Sequence, residues 1–182
     1  MKETILKIRL LGDPVLRGRS RKILRVTEFH QDILSKMARL MYEQSGIGLA
    51  APQVGINESM IVVDIGSGLY KLVNPQVTSG EGSQAIEEGC LSIPGVCIKV
   101  KRKKKILVKA LDENSQLVNI EAEDLLACVL QHEIDHLKGK LIVDYASFFE
   151  RIKIRNKIEG LQKRTRDERL FKPETKSCKL QL

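Results

Sequence analysis

The sequence predicts an α+β domain in which antiparallel sheets surround one buried central helix. Two observations point there. Extended, β-branched segments gather in the middle of the chain without helices alternating between them. Later, EDLLACVLQHEIDHLKG (123–139) has apolar residues almost all round a helical wheel, as an enclosed helix must. Strands followed by a late buried helix fit α+β better than a β-α-β succession.

TEFHQDILSKMARLMYEQSG (27–46) reads as an amphipathic helix, with Ile33, Met37, Leu40 and Met41 on one stripe, Thr27 as N-cap and Gly46 as its stop. GIGLAAPQVG (46–55) reads as a loop. SMIVVDI and YKLVNPQV read as strands, and EEGCLSIPG as a turn between extended stretches. KKKILVKALD and QLVNIEAE form a hairpin around the polar turn DENS. Gly139 ends the buried helix, and a basic helix runs from about Phe149 to Leu170, with the last residues frayed. We divide the single-domain chain into a body, 1–147, and a basic C-terminal helix and tail, 148–182.

With 182 residues, 42% hydrophobic and 30% charged, the chain has enough material for one real core. No apolar run spans a bilayer, and MKETILKIRL is not a signal peptide, so a cytoplasmic protein without membrane partners is expected. Four cysteines, Cys90, Cys97, Cys128 and Cys178, then read as thiols or metal ligands rather than disulfides. Aromatics at 4%, with no Trp, speak against stacking on single-stranded nucleic acid. The net charge of +8 is concentrated at the C-terminus, where Phe148 onward carries 11 Lys+Arg against 5 Asp+Glu. A second cluster, KVKRKKK, spans Lys99–Lys105.

HEIDH is a His-Glu-x-x-His pattern. On a helix, His132 and His136 lie one above the other and can reach one metal, while Glu133 projects about 100° away, beside the metal, where a general base belongs. A catalytic metal needs a third protein ligand and an open position. The extended pattern HExxHxxGxxH fails here, because Ile142 fills the last position. Glu150 and Glu159 are available but sit in the basic helix. Cys90 in EEGCLS is the better candidate, since a thiolate with two imidazoles suits Fe(II), Zn, Ni or Co. Read alone, Gln53 is a loop glutamine, and GIGLAAPQVG lacks the phosphate-binding G-x-x-x-x-G-K pattern, so no nucleotide cofactor is expected.

GIGLAAPQ (46–53), EGCLS (88–92) and QHEIDHL (131–137), in that order and spacing, resemble peptide deformylases, from ILKIRLLGDPVLR to HEIDHLKGKLIVDY. The resemblance implies hydrolysis of the N-formyl group from the formylmethionine of new chains, with formate released. It implies Cys90, His132 and His136 as ligands of one divalent metal, ferrous iron first, with nickel, cobalt or zinc as substitutes. It makes Glu133 the base and then the acid, and Gln53 and the Leu91 N–H donors to the oxyanion. The backbone at Gly48 would pair with an extended N-formylmethionyl peptide, and Leu125, Cys128 and Val129 would line the methionine pocket. The chain departs from many relatives at Cys97, where they carry Arg, and at Lys101, where they carry Pro.

The residue chemistry suits that reaction. A metal lowers the pKa of its water, Glu133 accepts the proton and passes it to the leaving amine, and Gln53 donates without titrating. The basic tail is expected to dock on the ribosome near the exit tunnel through RNA phosphates. A zinc endopeptidase or a basic RNA-binding module would explain neither EGCLS nor GIGLAAPQ.

Overall fold

The computed structural model describes residues 6–166. Cys178 and the predicted basic helix beyond Arg166 lie outside them. After a 3-10 turn at Pro14–Arg17 come helix α1 (Glu28–Glu43) and strands β1 (Gly48–Ala50), β2 (Met60–Val63), β3 (Tyr70–Glu81), β4 (Gln84–Glu88), β5 (Ile98–Arg102), β6 (Lys105–Leu111) and β7 (Leu117–Glu123). Helices α2 (Asp124–Leu137) and α3 (Phe148–Arg166) close the order. β1–β2–β3–β6–β7 form one antiparallel sheet, and β4–β5 a second.

Thr27 caps α1 as expected, its N–H donating to His30 Nδ1 at 3.0 Å. The helix stops earlier than predicted: Ser45 takes the left-handed turn, with φ +55°. Gly46 is needed for space instead, since a Cβ there would sit 2.9 Å from Leu91 Cδ1. The predicted loop 46–55 is ordered into β1 and a 3-10 turn, Ala51–Val54, because Gly48–Ala50 find partners in β2. Gly139 does end α2 at φ +71°, packed so closely that a Cβ would meet the Arg17 carbonyl. In the β6–β7 hairpin, Asp112 Oδ1 accepts from the N–H groups of Asn114 and Gln116.

Ile134 and Leu137 of α2 pack with Ile61, Val108 and Ile120 of the large sheet. Met37 and Met41 of α1 pack against Leu49, Met60 and Val62. A third cluster joins Cys90, Ile98 and Val100 to Leu161 of α3, so α3 is fastened to the body by its apolar side. Cys90 and Cys128 are free thiols, as expected. No described helix is long and apolar enough to cross a membrane.

Candidate metal centre

α2 presents both imidazoles on one face, their Nε2 atoms 3.2 Å apart. Cys90, just after β4, faces them with Sγ 3.3 Å from His136 Nε2. All three residues are buried, and their ligand atoms lie within 4.8 Å of one another. The other candidates stand apart. Glu150 accepts from the Ser147 N–H at the start of α3, and Glu159 pairs with Arg155 in solvent.

His132 Nδ1 lies 2.9 Å from Glu88 Oε2. A carboxylate only accepts, so Nδ1 carries the hydrogen and Nε2 keeps its lone pair towards Cys90 and His136. Burial opposes the Glu88 charge, but hydrogen bonds from Arg102 and His132 outweigh it and hold the carboxyl below its usual range. Arg102 grips Glu88 with two bonds of 2.7 and 2.8 Å and reaches Asp135 with its Nη1. The Tyr145 hydroxyl donates to the same Asp135 oxygen at 2.6 Å, and burial with that bond pushes its pKa up to about 12.

This chain of four was missed in the sequence. Its signals were faint: Arg102 shares the inward phase of Ile98 and Val100 within a run that otherwise reads as surface lysines, and Asp135 sits unremarked inside HEIDH.

Glu133 is fully buried, and neither carboxylate oxygen has a hydrogen-bond partner among the described residues. Burial, then the Glu88 charge, raise its pKa well above the ordinary carboxyl value, against a smaller pull from Arg102. A dry, unpartnered acid beside a ligand cluster is costly to keep and suited to moving protons. His136 is held neutral mainly by burial, and its Nδ1 also lacks a partner among the described residues. The Cys90 thiol is pushed up by burial despite N–H groups of Ser92 and Ile93.

Gln53 is fully buried rather than a surface loop residue. Its Oε1 accepts from the Ala50 N–H at 2.7 Å, which turns Nε2 to within 3.5 Å of Cys90 Sγ. Leu91 follows Cys90 and is buried. Gly48 lies on β1, at one end of the large sheet, and a Cβ there would collide with Glu133 Oε1. Gly48→Ala should therefore displace that carboxylate, and kcat/KM for formyl-peptide hydrolysis is expected to fall about 100-fold, the scale of a roughly 1 Å misplacement. Leu125 and Val129 belong to the apolar cluster under the sheet, with Ile86 of β4 against it. Cys128 is fully buried, its thiol raised to about 11 by burial.

A thiol, two imidazoles with free lone pairs and an adjacent buried acid, on a helix enclosed by antiparallel sheets, define a metal-dependent hydrolase of the His-Glu-x-x-His class. The sequence profile of the family described as polypeptide deformylase matches residues 5–151. A peptide deformylase of Syntrophomonas wolfei is 47% identical over 143 residues, covering 79% of this chain and 94% of that protein. The solved peptide deformylase of Legionella pneumophila superposes with a TM-score of 0.82 at 40% identity, over 88% of this chain and 96% of that one. The solved peptide deformylase of Thermus thermophilus gives 0.84 at 34% identity, over 88% and 99%. The chain belongs to the peptide deformylase family, metal-dependent enzymes that remove the N-formyl group from nascent peptides.

Proposed function

We propose that this chain deformylates N-formylmethionyl peptides with Cys90, His132 and His136 as metal ligands and Glu133 as the proton carrier. The observation that carries this division of labour is the convergence of three buried ligand atoms beside an unpartnered buried carboxylate. The donor set fits a soft-to-borderline divalent ion, ferrous iron first. Bound there, the metal supplies Lewis acidity and lowers the pKa of water.

Glu133 takes a proton from the attacking water and delivers it to the amine that leaves. The Gln53 amide and the Leu91 N–H donate to the oxygen of the formyl group as it gains charge. Gln53 is preset for this by its bond to Ala50, so no reorganisation falls on the reaction step. Among the described residues β1 pairs with β2 on one side only, which leaves the Gly48 backbone available to an extended peptide. Leu125, Cys128 and Val129 offer the apolar wall for the methionine side chain. Residues 1–147 carry the chemistry in this reading.

The basic segment 148–182 serves ribosome docking from the cytoplasm. Deleting residues 167–182, which leaves Leu161 in the core cluster with Cys90, should weaken ribosome pelleting and spare formate release from short peptides. Unchanged pelleting sinks that part.

Cys90→Ala should lose its metal, whereas Glu150→Gln and Glu159→Gln should keep it. Metal retained by Cys90→Ala would move the third ligand elsewhere. Because the Cys90 thiol is protonated before a metal arrives, uptake at neutral pH should release at least one proton, read by calorimetry in buffers of different ionisation enthalpy. The iron-loaded enzyme should lose activity in air, and reductant or nickel substitution should prevent the loss.

A further inference from the structure

Apart from Arg102, the Lys99–Lys105 run takes no part in the metal centre, and the fold sends four of its lysines to two places. Lys104 and Lys105 face Asp124 and Glu123, at 3.8 and 2.7 Å. Lys101 and Lys103 line a cavity of about 530 Å³ together with Arg102 and Lys138. The cavity lies against the α2 stripe Gln131–Ile134–Asp135–Lys138, a different helix face from the one that carries the histidines.

Among the described residues, no ion pair engages Lys101, Lys103 or Lys138. Asp135 is the one carboxylate among the lining residues, and Arg102 and Tyr145 already hold it. Arg102 is balanced by Glu88, and Asp135 is already held, so Lys101, Lys103 and Lys138 leave a positive surplus in a concave space, where walls of low dielectric focus the field on an anion. Arg102 is 5% exposed and fixed by three hydrogen bonds to carboxylates, so the floor is rigid before any ligand arrives. The volume falls within the roughly 300–1,000 Å³ of small-ligand sites.

The ligand's chemistry follows from what surrounds the space. Ser83, beside Gly82 in the β3–β4 turn, offers a hydroxyl at the rim. Tyr145 is the one aromatic residue in the lining, and its ring already lies against the Arg102 guanidinium, 4.9 Å from the centroid. A single ring with the guanidinium over it is no platform for successive stacked bases, as a nucleic acid strand would need. We propose that this cavity, formed by Lys101, Lys103 and Lys138 over the Arg102 floor, is a second binding site of the enzyme, for a small phosphate-bearing anion.

The test is calorimetric titration of the metal-loaded full chain with inorganic pyrophosphate at low salt. Lys101→Gln with Lys138→Gln is compared with Lys104→Gln with Lys105→Gln, which removes the same charge outside the cavity. Neither pair touches the catalytic residues, so formate release should stay unchanged in both. Saturable binding of one pyrophosphate, weakened about tenfold or more by the cavity pair and less than about twofold by the control pair, supports the site. No binding at millimolar pyrophosphate overturns it, as does an equal loss in both variants. A single-stranded oligonucleotide that binds and is not displaced by pyrophosphate also overturns it, in favour of a diffuse nucleic-acid surface.

Discussion

Glu133→Gln is expected to keep its metal and lose about a thousandfold in formate release, within the range for removing a general base. The side chain is not among the clustered ligand atoms, so metal content should match the wild type. Glutamine nearly preserves shape and cannot carry the proton. It also removes an acid that burial holds at a raised pKa, so the variant should gain slightly in thermal stability above the ordinary carboxyl pKa of 4.5, where the folded wild type resists ionisation. A variant with full metal and near-normal rate would remove Glu133 from the mechanism.

Arg102→Leu should be the most destabilising substitution near the site. It strips the cation from Glu88, which is fully buried, and from Asp135, and breaking a buried pair of this kind costs about 3–5 kcal/mol. Glu88 can then no longer fix the His132 tautomer from an ionised, oriented carboxylate, and metal affinity should fall about 10- to 100-fold. Arg102→Lys should rescue little, since one ammonium cannot reproduce the two-bond grip on Glu88. The sign with pH is defined. Glu88 has a lowered pKa when folded, so its stabilisation is complete above the unfolded value near 4.5 and is lost as pH falls through the lower folded value. Arg102→Leu should flatten that acid-side dependence. Denaturant unfolding across pH and metal retention against a chelator measure both effects. Wild-type stability in Arg102→Leu would contradict the network.

Some of this was legible in the sequence because it is local. The four-residue spacing of His132 and His136 needs only a helix, and the Asp112 turn needs only its own neighbours. Cys90 emerged from ligand chemistry, although 42 positions separate it from His132. What stayed hidden depends on distant partners. β1 is a strand only because β2 lies beside it, and a Gly-Ala-rich segment alone looks like a loop. Gln53 is buried because the Ala50 N–H donates to its Oε1 and Cys90 Sγ accepts from its Nε2. Arg102 looked like one more cation in a basic run, and only the β4–β5 register, Gln84 opposite Arg102 and Glu88 opposite Ile98, turns it inward to Glu88 and Asp135.

The most direct test of the central claim is formate release from formyl-Met-Ala-Ser by anaerobically purified protein of known metal content, with acetyl-Met-Ala-Ser alongside. The account predicts formate in proportion to bound metal and no acetate from the acetyl peptide. A fully metallated sample that releases no formate would contradict it.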